Sequence, residues 1–149
     1  MSYKSIFCSF FFLLGAGLVS IEGKVFTKCE LAKTMKAHGF PKSQLGTWVC
    51  IAYHESRLNT KTVNHATGDY GIFQISHYYW CSDSNVPGKG CKITCKSLLV
   101  DDISGSMACA RKVFTETQKG KTKNGFTAWV TYKKHCKGNQ SKWIKGCGL

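Results

Sequence analysis

Nine cysteines punctuate this chain of 149 residues, and how many of them survive export decides what it can fold into. The first, Cys8, lies in an N-terminal stretch with one early positive charge, Lys4. An almost wholly apolar run follows, Ile6 to Leu14, and then small residues to Gly23. That pattern reads as a secretory signal over residues 1–23, because the apolar run falls short of the ~20 residues a membrane span needs. Removal of the signal leaves one domain over residues 24–149 and eight cysteines: Cys29, Cys50, Cys81, Cys91, Cys95, Cys109, Cys136 and Cys147. An even number in a secreted, extracellular chain implies disulfides. Pairing is open at this point, with on the order of a hundred connectivities. A zinc site is excluded by pattern, since Cys91 and Cys95 have no second closely spaced Cys or His pair to complete a tetrahedron.

Charge narrows the partners. The formal net charge is +13, with 21 Lys plus Arg against 8 Asp plus Glu, and it survives loss of the signal because Lys4 and Glu22 leave together. Such a surface attracts polyanions. Export makes nucleic acid an improbable main target, and the lysines are scattered instead of gathered into a run. Anionic lipid and the acidic polymers of bacterial envelopes remain as candidate partners, and the alternative is a charge that serves solubility alone.

The mature chain opens with a helix whose start carries the Thr27–Glu30 capping-box spacing and whose end is marked by Gly39 and Pro41. Leu45, Trp48, Val49, Ala52 and Tyr53 predict a second, amphipathic helix ending near Ser56. β character follows: Thr62–Asn64 and Asp69–Ile75 flank His65-Ala66-Thr67-Gly68, a hairpin connection with Gly at the turn. Residues 81–95 read as a cysteine-stapled loop. Leu99, Ile103, Met107, Ala110 and Phe114 form one face of a third helix begun by Asp101 and Asp102. Ala128–Cys136 predicts a short fourth helix burying Trp129, Val130 and Tyr132, and 141–145 a last turn. Helices before and after a small β region in one stapled chain indicate an α+β fold.

Two carboxylates stand out against the basic background. Glu55 ends the second helix, where the dipole opposes a negative charge, and Asp69 begins the strand after the hairpin. In a dry site both dipole and burial would favour the protonated form of Glu55. His54-Glu55 starts like a zinc-binding HExxH, but Leu58 occupies the position of the second His.

From Lys24 to Leu149 the sequence resembles the c-type lysozymes and their relatives the α-lactalbumins. The resemblance is carried in order by KVF-x-x-CELA, HES-x-x-NT, DYGIFQI, YWC ending at Cys81, C-x-I-x-C at Cys91–Cys95, AWV at Ala128–Val130, and CKG followed by WI-x-GC. It implies a mainly helical lobe, a small antiparallel β lobe and a cleft between them. It also implies the disulfides Cys29–Cys147, Cys50–Cys136, Cys81–Cys95 and Cys91–Cys109, the first closing a loop worth roughly 4–5 kcal/mol by the chain-entropy argument.

The family's catalytic carboxylates fall on Glu55 and Asp69. Glycoside hydrolysis with retention needs a neutral acid to protonate the leaving oxygen and a carboxylate to trap or stabilise the sugar cation. Lysozyme is the type case of that chemistry, so these roles come with the resemblance. The family's sugar-binding positions are Asn64, Gln74, Tyr79, Trp80, Asp83, Ala128 and Trp129, whereas Trp48 and Trp143 read as packing residues. The implied substrates are bacterial peptidoglycan and chitooligosaccharides, cleaved by a monomer without metal or cofactor. The non-enzymatic alternative is a cationic antimicrobial or a lactalbumin-like binding protein. Calcium of the lactalbumin kind is disfavoured because the 96–106 segment offers one clear ligand, Asp102, where six to eight oxygens are needed. Two departures bear on the site: the connection from Asn64 to Asp69 is about three residues shorter than in many vertebrate members, and Ser76 stands where Asn is usual.

Overall fold

A computed structural model describes residues 23–149 of the protein; the expected signal, apart from Gly23, lies outside the described residues. Helix α1 spans Lys28–Ala37, and its capping box forms as the spacing predicts. The Thr27 hydroxyl accepts from the Glu30 N–H at 3.1 Å while the Glu30 carboxylate accepts from the Thr27 N–H at 2.7 Å. Its apolar face, Leu31, Ala32 and Met35, is buried.

Helix α2, Lys42–Ser56, ends where expected, but it is not amphipathic. Residues 45–52 are buried without exception, because α1, the fourth helix, the 141–143 turn and the β region wrap it on different sides. A helix that is apolar all round belongs at the centre of a fold. Arg57 and Leu58, at φ 54° and 65°, turn the chain out of it. Trp48 on this helix is the hub of the core. Its ring meets Phe40, Phe73, Phe126 and Trp129 edge-on at centroid distances of 5.5, 5.7, 5.0 and 5.1 Å.

The β region is a three-stranded antiparallel sheet, β1 (Val63–Asn64), β2 (Asp69–Tyr70) and β3 (Ile75–Ser76), in that order. Val63 pairs with Tyr70, Asn64 with Asp69, and Asp69 with Ser76. The single strand expected over Asp69–Ile75 is therefore two. Gly71 at φ 78° and Gln74 at φ 47° bend the chain back on itself, and the closeness of Gly71 to the Leu98 carbonyl, which a Cβ would meet at 2.5 Å, leaves no room for a side chain there.

Leu99 belongs to a 3-10 turn, Cys95–Leu99, and not to the third helix. Helix α3 runs Ser104–Lys119 and buries Met107, Cys109, Ala110 and Val113. Likewise Ala128 closes a 3-10 turn, Gly125–Ala128, before α4, Val130–His135. Val130, expected inside, is 65% exposed, because the helix seats itself by Trp129 and Cys136 at its two ends. The last turn is a 3-10 helix, Ser141–Trp143. Four disulfides join Cys29 to Cys147, Cys50 to Cys136, Cys81 to Cys95 and Cys91 to Cys109, the partners the resemblance implies. Among the described residues no helix is long and apolar enough to cross a membrane. The architecture is α+β: helices around a central helix, with a small antiparallel sheet beside them.

Candidate active site

Four helical or turn segments and two strands converge on one cavity of about 230 Å³. Glu55 of α2, Asp69 of β2, Gln74, Ile75 and Ser76 at β3, Trp80, Val113 of α3, and Ala128, Trp129 and Val130 line it. The two carboxylates singled out in the sequence thus reach one space from opposite sides, one from the helical side and one from the sheet. Glu55 is half-buried in the last turn of α2. Burial holds its carboxyl above the ordinary glutamate range, and the negative charge of Asp69 adds to the rise, while a hydrogen bond from the Thr131 side chain works against it. Burial dominates, so the proton is favoured on Glu55. Asp69 accepts from the Thr67 hydroxyl at 2.6 Å and lies across from Ser76 in the ladder.

The hairpin that presents Asp69 is held by short-range chemistry. The Asn64 side-chain oxygen accepts from the N–H groups of Ala66 and Thr67 at 3.1 and 3.3 Å, an Asx-type turn. Gly68 sits at φ 69° under the His77 ring, where a Cβ would come within 2.0 Å of that ring. The Asn64 side-chain oxygen is therefore used by the turn, and Asn64 is not among the residues lining the cavity. Trp129, the wall opposite the sheet, is 5% exposed and donates its indole N–H to the buried Phe73 carbonyl at 2.9 Å. Gln74 donates to the carbonyls of Thr62 and Gly71 at 3.0 and 2.8 Å, leaving its oxygen for other partners.

Of the sugar-binding candidates, Gln74, Trp80, Ala128 and Trp129 line the cavity and Asn64, Tyr79 and Asp83 do not. Tyr79 stands 72% exposed, a flat aromatic plate beside Trp80 in the chain. Asp83 Oδ2 lies 3.2 Å from His77 Nδ1, a contact that is an ion pair when the imidazole carries a proton on both nitrogens. Trp48 and Trp143 pack as read: Trp48 is buried in the core, and Trp143 donates to the Gln140 side chain at 3.0 Å. Sequence reasoning did not find Val113, Ile75 or Thr131. Val113 and Ile75 carry the ordinary signature of core residues. Nothing in the sequence distinguishes Thr131, because its position at Glu55 depends on how α4 docks against α2.

A chemistry follows from this arrangement: a carboxyl whose burial raises its proton affinity and a second carboxyl share a cleft with aromatic and amide groups suited to a ring with hydroxyls. Comparison with known proteins bears on it. Residues 24–147 match the family described as C-type lysozyme/alpha-lactalbumin. Relatives named Lysozyme C include one from Dromaius novaehollandiae, 44% identical with 93% of this chain and 97% of that protein covered. Another, from Saguinus oedipus, is 42% identical with 92% and 97% covered. One from Crax fasciolata is 44% identical with 85% of this chain and all of that protein covered.

Proposed function

From the premise that this chain belongs to the C-type lysozyme/alpha-lactalbumin family, we propose that it is a secreted muramidase. It hydrolyses the β-1,4 bonds between N-acetylmuramic acid and N-acetylglucosamine in bacterial peptidoglycan with retention, in antibacterial defence. The observation that carries this reading is the joint lining of one cavity by Glu55 and Asp69, with burial favouring the proton on Glu55. Glu55 gives that proton to the leaving glycosidic oxygen, and Asp69 traps or stabilises the oxocarbenium-like sugar. Water then enters from the vacated side, and Glu55, now ionised, takes a proton from it. Trp80, Trp129 and Gln74 orient the sugar rings, and Tyr79 extends the platform outside the cavity.

Export by residues 1–23 fits the same reading. The Lys24 backbone nitrogen lies 2.9 Å from the Asp101 carboxylate and 3.1 Å from the Thr60 hydroxyl, so a cut after Gly23 would put the new α-ammonium against an acid ready to pair with it. The net charge of +13 would then carry the enzyme to anionic envelopes.

Glu55→Gln keeps the shape and removes the acidic proton. Folded Glu55→Gln should bind chitooligosaccharide and lose hydrolysis by about 100- to 10,000-fold, and Asp69→Asn should also cut turnover strongly. Wild-type cleavage rates in folded Glu55→Gln would refute the assignment. Lost cleavage with undiminished killing would assign the killing to cationic binding.

A further inference from the structure

A second candidate surface lies beside the acid on α2 and α4, and it is built from two histidines, an arginine and lysines. His54 precedes Glu55 on α2, and His135 follows Thr131 by four positions on α4, the spacing that shares a helix face. Their imidazoles lie parallel, 8° apart in plane, with centroids 4.3 Å apart. Around them Arg57 covers the Tyr53 ring at 4.5 Å, and Lys28 covers the Trp143 ring, also at 4.5 Å. His54 meets both rings edge-on, at 5.3 and 5.7 Å. The Tyr53 and Trp143 rings thus hold Arg57 and Lys28 beside the two imidazoles, and Lys142 of the last turn adds its charge.

No acidic side chain among the described residues balances this cluster. Glu30 bonds the Thr27 N–H and pairs with Lys24, Asp83 pairs with His77, and Glu116 pairs with Lys112 and Lys119. Asp101 and Asp102 accept from the backbone of Lys24 and Ser104, and Glu55 and Asp69 face the cleft. Gathering like charges costs free energy that a bound anion would recover. We infer that the cluster of His54, His135, Arg57, Lys28 and Lys142 is a docking site for the phosphodiester chain of a bacterial wall polymer, engaged as the imidazoles take up protons. Guanidinium and imidazolium groups present directed N–H donors to phosphate oxygens, and the position beside the cleft places the site on a polymer tethered to the glycan being cut. The second point rests on the function proposed above; the anion chemistry does not.

The groups facing the imidazole pair set the sign of the pH dependence. Burial, then His135, Arg57 and Lys142, push the His54 proton off. A phosphate settling among them reverses the influence of those cations, so binding and protonation reinforce one another, and reciprocally. Affinity therefore rises as pH falls. An Asp or Glu in the cluster would have favoured the charged imidazoles; a bound phosphate takes that part instead.

Two arms test the inference at low ionic strength. In the first, proton NMR follows the Cε1 signals of both histidines with and without sodium tripolyphosphate. The expected result is an upward move of both titrations and binding about tenfold tighter at pH 5.5 than at pH 8, the factor for one unit of linked imidazole shift. In the second, the Glu55→Gln protein is pelleted with bacterial walls before and after removal of their phosphate polymers, so that binding is read without hydrolysis. Retention should depend on those polymers at pH 5.5, and adding His135→Gln and Lys142→Gln, both exposed positions, should abolish most of it. The same pair in the otherwise unaltered enzyme should leave hydrolysis of neutral chitooligosaccharide unchanged, which separates this site from the catalytic reading. Histidine titrations indifferent to tripolyphosphate would overturn the inference, as would equal retention on stripped walls or by the exposed double variant.

Discussion

Trp129→Phe is the sharpest test of how the cleft is held open. The indole N–H bonds the Phe73 carbonyl at 2.9 Å, and Phe73 is fully buried. Phenylalanine keeps an aromatic ring but leaves that carbonyl without its donor in a place water does not reach, a loss of about 1–3 kcal/mol. The missing part of the ring removes contacts with Trp48, 5.1 Å away centroid to centroid, and leaves a small void worth about 1 kcal/mol more. The expected destabilisation is about 2–4 kcal/mol, or a drop of roughly 10 °C in Tm for a domain of this size. Urea unfolding with the disulfides intact should show a lower midpoint at unchanged slope. Trp143→Phe is the control: its N–H bonds the Gln140 side chain, which has other partners to find, so it should cost less than about 1 kcal/mol. Because Phe73 leads directly into Gln74 and β3, Trp129→Phe should also lower turnover beyond what unfolding explains. A loss below about 0.5 kcal/mol, or equality with Trp143→Phe, would refute the view that this bond ties the sheet to the helices.

Other outcomes follow from the same geometry. Thr131→Val removes the hydroxyl that stabilises ionised Glu55; the carboxyl should hold its proton to higher pH, so the basic limb of the pH–rate profile should move up, and a limb that stays or falls would contradict the contact. Gly68→Ala should cost about 2–4 kcal/mol in chemical denaturation, from positive φ and from the His77 ring at 2.0 Å. Gly138→Ala, also at positive φ but with open space around it, should cost only about 1–2 kcal/mol. Lysis of bacterial cells should fall as salt rises from ~0.05 to ~0.5 M while cleavage of a neutral oligosaccharide changes little, a comparison that turbidity and reducing-end assays can make side by side.

Local chemistry was legible in the sequence; docking was not. The Thr27–Glu30 box and the end of α2 near Ser56 are written in nearby residues, and both occur in the structure. The break between β2 and β3 was missed because DYGIFQI has the composition of one strand, and the bend comes at the positive φ of Gly71 and Gln74, where the Leu98 carbonyl from another part of the chain leaves no room for a side chain on Gly71. Val130 was assigned to the interior on hydrophobicity, but its helix is anchored at both ends and turns that side chain to the rim of the cavity. Asn64 was read as a sugar contact, and the structure shows its side-chain oxygen accepting from the N–H groups of Ala66 and Thr67 in the hairpin turn. Glu55 and Asp69 could be named from the chain; that they share a cavity, and that Thr131 touches one of them, depends on how α4 and the sheet settle against α2.

The bond between Cys50 and Cys136 gives that settling a mechanical meaning. Cys50 is five residues before Glu55 on α2, and Cys136 is five after Thr131 at the end of α4, with both cysteines fully buried. The pair acts as the pivot of a pair of compasses, with the acid and its hydroxyl partner near the points. Five residues of helix make an arm of about 7.5 Å, so an opening of ~10° at the pivot would separate the points by ~1.3 Å, enough to break a hydrogen bond and of the order at which misplacement costs a hundredfold in rate. A covalent pivot sealed from solvent fixes the angle before substrate arrives, and reductants reach it only after the molecule has opened.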